Sequence, residues 1–291
     1  MKKILQIFFV VLVILSALLW KIVGAINDHD LHVYVLNIGQ GDSILVRLST
    51  GENILIDGGP DGAVLRELAE VLPIYERKID VVILTHPHAD HMNGLLDVLR
   101  HYQVSSVLFT GVFYKNSAYD EFIDQIAQQK IPIFFAHTDT DYRLGTVALD
   151  MLYPLKLVQG DRYENINNSS ISFRLLSRDG TFYFSGDLEK EGEEELLKSG
   201  QDLRADVLKV GHHGSRTSSS EAFLDAVQPK IALISCGVNN TFKHPHPETL
   251  KHFAERGIDF FRTDLDGRVE VVPDDGKFVV KTLDSIKSAV R

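Results

Sequence analysis

Residues 85–94 read THPHADHMNG, which places three histidines and an aspartate between His86 and His91. An apolar run, IDVVIL, leads into them over residues 79–84. Side chains two apart on extended chain point the same way, so His86 and His88 are placed to share one cation. Asp90 and His91 follow the bend and are placed to face a second. Neutral imidazoles mixed with a carboxylate suit zinc, manganese or iron and disfavour calcium, which prefers oxygen donors alone. A bound dication lowers the pKa of its water towards about 7, and a pair can hold both the attacking and the leaving oxygen of an in-line displacement. That is chemistry for cleaving a phosphodiester.

Such a cluster needs elements to aim it. Five apolar runs end in polar punctuation: LIDGG, LTHPHADH, YFSGD, LKVGHHG and LISCG. Each reads as a strand, and the C-terminal ends of strands are where α/β sheets build their sites. Asp57, His86, His88, Asp90, His91, Asp187, His212 and His213 are therefore expected to converge from distant parts of the chain. Apolar residues at helical spacing predict helices over 63–72, 93–102 and 118–130. Asp179-Gly180 marks the turn of a hairpin, and the second half repeats the strand–helix rhythm of the first. No low-complexity linker follows residue 30, so residues 28–291 read as one domain.

The composition is that of a globular chain: 291 residues, 44% hydrophobic and 24% charged, with a net charge of −10. The first 26 residues hold three lysines and no acid, leaving 27 bases against 40 acids, or −13, in the remainder. So acidic a body is no general electrostatic binder of nucleic acid, whose nonspecific affinity comes from Lys and Arg on phosphate. A nucleic-acid substrate would need a local basic groove. An aromatic box beside the metals would instead favour a quaternary amine. The single cysteine, Cys236, ends an apolar run and reads as a core residue.

Residues 1–27 are a separate object. Two lysines precede an apolar run from Ile4 to Trp20, then Lys21 and IVGAI. The segment reads as a membrane anchor or as a signal peptide with Val23-Gly24-Ala25 as the small-residue cleavage site. Either places the rest of the chain outside the cytoplasm, anchored or secreted. No protein partner follows from the sequence.

The ordered set VLNIGQGDSILV, ILIDGG, VVILTHPHADHMNGL, NNSSISFRL, YFSGDLE, VLKVGHHGSRTSSSEAFL and HPHPETL spans roughly residues 32–250. It resembles the metallo-β-lactamase superfamily, and more narrowly the hydrolase domain of the ComEC/Rec2 competence proteins in a stand-alone form. The resemblance implies an α/β fold, a four-layer αββα sandwich, behind the N-terminal apolar helix. It implies two divalent metals, zinc or manganese. His86 and His88 would bind one, Asp90 and His91 the other, with Asp187 bridging and His212 completing the second site. Asp57 would orient the histidine loop. Most members supply a third histidine to the first metal, but no histidine occurs from 138 to 211. The expected place reads INNSSISF, which leaves Asn168, Ser170 or water to fill a weaker first site.

Around the metals, HHGSRTSSS offers backbone N–H groups, Ser215 and Arg216, and FKHPHP offers Lys243, His244 and His246. Such donors suit phosphate oxygens. His244 is expected to stabilise the transition state or donate a proton, with His213 beside it and Asp90 in the catalytic set. The expected activity is hydrolysis of a phosphodiester: extracellular DNA, a nucleotide, or a cell-wall ester such as one of choline phosphate. The alternatives are a lactamase-type hydrolase of a cyclic amide or ester and a non-catalytic accessory protein on the same fold.

Overall fold

The computed structural model describes Lys3 and residues 6–16, 30–274 and 277–283. Residues 6–16 form a helix, α1, whose apolar side chains from Ile7 to Leu15 are exposed. The rest of the expected anchor or signal segment lies outside the described residues. No described helix is long and apolar enough to cross a membrane. Residues 1–30 form one compact unit and residues 31–291 another. The second unit holds every strand among the described residues.

Its first half runs β1 (His32–Val35), β2 (Ile44–Arg47), β3 (Asn53–Ile56), α2 (Ala63–Val71), β4 (Lys78–Ile79), β5 (Val81–Leu84), α3 (Ala89–His101), β6 (Gln103–Val104), β7 (Val107–Phe109), α4 (Ser117–Gln129) and β8 (Ile133–Phe135). The second half runs β9 (Tyr142–Leu144), β10 (Val147–Tyr153), β11 (Ser172–Leu176), β12 (Thr181–Phe184), α5 (Lys190–Ser199), β13 (Val207–Lys209), α6 (Glu221–Val227), β14 (Ile231–Ile234), α7 (Pro247–Glu255) and β15 (Asp259–Arg262). A short helix, α8 (Thr263–Asp266), and a hairpin, β16 (Val269–Asp274) and β17 (Lys277–Thr282), close the described chain.

One sheet has the order β17-β16-β1-β2-β3-β5-β7-β8 and the other β15-β14-β13-β12-β11-β10-β9, with β4 and β6 paired apart. In both, an antiparallel meander passes into parallel strands: β3, β5, β7 and β8 in one, β12 to β15 in the other. Alternation of side chains along the strands explains the unbroken apolar runs. Ile54, Ile56, Ile83, Phe182, Phe184 and Val207 enter a core shared by the two sheets. Leu55, Val82 and Leu84 pack outward with residues of α2, α3 and α4, and Tyr183, Leu208 and Ala232 outward with residues of α5, α6 and α7. The layers are thus helix, sheet, sheet, helix. Each buried aromatic of the central core contributes about 1.5–3 kcal/mol relative to exposure.

The helix after the histidine cluster begins earlier than its apolar spacing suggested. α3 starts at Ala89, so Asp90 and His91 lie in its first turn, with His88 at the N-cap. The carboxylate of Asp90 suits the positive end of the helix. Gly94 lets this helix seat directly on the loop after β3: its N–H donates to the Gly59 carbonyl at 3.0 Å, and the Gly58 N–H donates to the His91 carbonyl at 2.6 Å. A Cβ at Gly94 would stand 1.9 Å from the Gly58 oxygen, with only backbone to give way. Gly94→Ala is therefore expected to destabilise the protein by about 1–3 kcal/mol, the cost of overpacking. Urea unfolding measures it; an unchanged midpoint would show that the helix does not depend on this contact.

Candidate metal centre

The ends of β3, β5, β12 and β13 meet at one place. Asp187, just past β12, directs Oδ2 to 3.2 Å from His91 Nε2, 3.4 Å from His213 Nε2 and 4.0 Å from His86 Nε2. Asp90 Oδ2 lies 3.3 Å from His213 Nε2, and His86 Nε2 lies 3.1 Å from His88 Nδ1. Two ligands on one tetrahedral cation with bonds of about 2.0–2.1 Å stand about 3.3 Å apart. The spacing is therefore that of ligands with an ion between them. His91 Nε2, His213 Nε2 and Asp187 Oδ1 are buried and aligned for no hydrogen bond among the described residues. Buried polar atoms are rarely left so, and a cation would satisfy all three. The donor set of imidazoles and carboxylates fits a borderline transition metal.

The histidines are held from behind. Asp57 Oδ2 lies 2.8 Å from His91 Nδ1. The same carboxylate accepts hydrogen bonds from the Thr85 N–H and hydroxyl at 2.8 and 2.7 Å. Asp42 Oδ1 lies 3.3 Å from His213 Nδ1, and its Oδ2 accepts from Lys209 Nζ at 2.6 Å. His91 Nδ1 thus meets Asp57, and His213 Nδ1 donates to the Ser235 carbonyl at 3.0 Å with Asp42 Oδ1 beside it; both rings turn Nε2 towards Asp187, the arrangement that fixes a ligand's tautomer. Asp42, His91, Asp187 and His213 each offer a ligand atom within 4.8 Å of the others. Asp42 approaches His213 on its Nδ1 side and is read as a group that supports that ring. Asp90 takes the outer position.

Several sequence expectations need correction. His212 was expected as a ligand and His213 as its neighbour; the structure exchanges them. Both residues have left-handed backbone, φ 46° and 55°, in a tight turn over Gly211–Gly214. The turn sends His213 inward and leaves His212 Nδ1 3.1 Å from Glu189 Oε1 and 3.2 Å from Thr217 Oγ1. Asn168 is spent on structure: its Oδ1 accepts from the Glu189 N–H and its Nδ2 donates to Glu191. Ser170 Oγ accepts from the Asp187 N–H at 3.0 Å, so it positions that aspartate and does not replace a histidine. Ser215 is occupied within its own loop, 3.0 Å from Thr217 Oγ1.

The His244 ring stands 5.4 Å from that of His212 and 6.3 Å from that of His213. Burial, and then those two histidines, push its pKa down to about 4. It is neutral near pH 7, a hydrogen-bonding group rather than a cationic proton donor. Cys236 is a fully buried core residue whose thiol burial pushes up to about 12. Asp42, Lys209 and Glu189 were not anticipated. The available signal for Lys209 was a lysine ending an otherwise apolar strand, a residue rarely buried unless paired.

The family model "Metallo-beta-lactamase superfamily" matches residues 36–238, in keeping with the two-sheet fold: the chain belongs to that superfamily. Curated relatives include ComE operon protein 3 of Bacillus subtilis, 30% identical over 82% of this chain and 32% of its own. Competence protein ComA of Neisseria gonorrhoeae is 30% identical over 84% of this chain and 33% of its own. This chain therefore spans about a third of each of these relatives. Among solved structures, YhfI from Bacillus subtilis superposes with a TM-score of 0.52 at 13% identity, covering 87% of this chain and all of its own. Zn(2+)-bound PqqB from Methylobacterium extorquens gives 0.52 at 12%, covering 79% and 97%. These likenesses concern the fold.

Charge sets how the site loads. Burial opposes protonation of His213, but Asp187, Asp42 and Asp90 outweigh it and hold its pKa up to about 10. His91 is likewise raised, by Asp187 and Asp57 against its burial. Without a cation both rings carry protons, and a metal binds the neutral ring. Loading at pH 7 is thus expected to release about one to two protons, and affinity to rise with pH as His213 deprotonates towards pH 10. Titration calorimetry in two buffers of different ionisation enthalpy counts the protons; none released would contradict the charge balance. Asp42→Asn is expected to weaken metal binding about 10–100-fold, whereas unchanged affinity would mean that the Ser235 carbonyl alone orients His213.

Proposed function

We propose that the protein is a metal-dependent hydrolase of phosphodiester bonds that holds two divalent cations, zinc or manganese. The observation that carries this reading is the position of Asp187 Oδ2, between the His86 side and the His91–His213 side. His86 and His88 would hold one cation and Asp90, His91 and His213 the other, with Asp187 shared. When bound, such a pair supplies a nucleophile from water at neutral pH and a clamp for the oxygens at phosphorus.

The chain's own residues do the rest. Asp57 and the Ser235 carbonyl keep two imidazoles in the ligating tautomer, with the Asp42 carboxylate beside the second. Burial, and then the charge of His91, hold His86 neutral and ready to bind. Neutral His244 is placed to hydrogen-bond a phosphate oxygen beside His213. Arg216 and Lys243, both exposed on the loops that carry these histidines, supply positive charge for the anion. The N-terminal segment would hold the domain to the outer face of a membrane, or be removed on secretion. Extracellular DNA, a nucleotide and a cell-wall phosphodiester all fit this chemistry.

Metal-loaded protein is expected to hydrolyse bis(p-nitrophenyl) phosphate and leave a chromogenic cephalosporin intact. Asp187→Ala should lower the phosphodiesterase rate by more than about 100-fold, because it removes the shared ligand itself. Equal turnover in that variant would overturn the bridging role. A cephalosporinase without phosphodiesterase activity would overturn the substrate class.

A further inference from the structure

A small polar pocket adjoins the loop that carries His213. It encloses about 210 Å³, less than the roughly 300–1,000 Å³ usual for drug-sized ligands. Lys190, the first residue of α5, and Arg216, in the loop after β13, line it together with Ser218, Ser219, Ser220 and Thr249. None of the proposed metal ligands is among its described lining residues. The wall is fixed from behind. The Lys190 N–H donates to the Thr217 carbonyl at 2.8 Å, and the buried carboxylate of Glu193 accepts from the Ser219 and Ser220 N–H groups.

The other hydroxyls of this wall are spent. Ser218 Oγ donates to the Leu188 carbonyl at 2.6 Å and Thr249 Oγ1 to the Ser215 carbonyl at 3.1 Å, while Ser220 Oγ accepts from the Phe223 N–H. Ser219 is 1% exposed, yet its Oγ has no hydrogen-bond partner among the described residues. A buried hydroxyl is rarely left so. The positive charge lacks a partner too. Lys190 and Arg216 are exposed and form no ion pair among the described residues. Two carboxylates also line the pocket, Glu221 and Glu248. Glu221 is taken by Arg256 at 3.1 Å, and Glu248 lies in the first turn of α7, where the helix end offsets its charge. The pocket is therefore short of negative charge and of an acceptor for Ser219. Lys190 brings a point charge and Arg216 a planar fork of donors, a pairing that suits phosphate oxygens. A carboxylate has two acceptor oxygens, whereas a phosphate group has at least three, one for each of these donors.

We propose that this pocket is a second anion site, separate from the metal centre, which takes a phosphate group on Lys190, Arg216 and Ser219 Oγ. The site does not rest on the phosphodiesterase reading. Its phosphate comes from solution or from a further position on a substrate that carries more than one; the recognising chemistry is the same. In both cases the anion ties α5 to the loop that holds His213.

Titration calorimetry of the zinc-loaded protein with inorganic phosphate tests it. Binding beyond that at the metals is expected, and the double variant Lys190→Gln, Ser219→Ala should weaken this part by about tenfold or more while keeping its zinc. Lys190→Gln alone, at an exposed helix start, should weaken it in the same direction and guards against a folding defect at Ser219. Identical isotherms for the unaltered protein and both variants would overturn the site. Crystals soaked in selenate, a tetrahedral oxyanion with an anomalous signal, locate it. A selenium peak in hydrogen-bonding reach of Lys190 Nζ and Ser219 Oγ supports the site, and peaks at the metal centre alone overturn it. Kinetics then separate the sources, using the p-nitrophenyl ester of thymidine 5′-phosphate with and without a 3′-phosphate. A preference of about tenfold for the second phosphate, lost in the double variant, marks the substrate as the source. Equal kcat/KM with the calorimetric difference retained marks free phosphate; either supports the site. Bis(p-nitrophenyl) phosphate turnover should be the same in the variants. If no ester is cleaved, the hydrolase reading falls and the calorimetry alone decides the site.

Discussion

Negative charge buried at the seam of the two sheets is the constraint on which the rest of the structure depends. Asp42, Asp57 and Asp187 are all at most 2% exposed, and Lys209 is the one buried lysine among the described residues. Burying an unpaired charge costs several kcal/mol even after relaxation. The fold answers with a chain of contacts: Lys209 on Asp42, Asp42 on His213, His213 and His91 on Asp187, His91 on Asp57. That chain closes electrostatically only if more positive charge enters, as protons on the imidazoles or as cations between them. Metal binding would couple to folding through the same atoms.

The two halves divide the work. The first sheet brings Asp57 and the His86–His91 cluster on the neighbouring parallel strands β3 and β5. The second brings Asp187 and His213 on β12 and β13, also parallel neighbours. The loop between β1 and β2 then crosses the seam. It carries Asp42 to Lys209 and sets the Asp42 N–H on the Asp90 carbonyl at 3.1 Å. No single segment holds a working site, so the sandwich must form before the ligands can meet.

Much of this arrangement is legible in the sequence, for a definite reason. Apolar runs with polar endings locate the strand ends, and strand ends locate His86, His88, Asp90, His91 and Asp187. What stays hidden depends on side-chain direction after a turn. Adjacent His212 and His213 are equivalent as letters; only the left-handed backbone of Gly211–Gly214 decides which faces inward. Asn168 and Ser170 stand where a further ligand was expected, yet both accept from backbone N–H groups of the segment after β12, those of Glu189 and Asp187, which are 21 and 17 residues away. Asp42 reads as a turn residue between glycine and serine, because its partner Lys209 is 167 positions away.

Everything proposed for the metal centre turns on Asp187 joining two cation positions, one at His86 and His88, the other at Asp90, His91 and His213. Anomalous diffraction from crystals of the manganese- or zinc-loaded protein tests it most directly. Two peaks are expected, one on each side of Asp187, with His212 bound to neither. A peak ligated by His212, or none within bonding distance of Asp187, would contradict it.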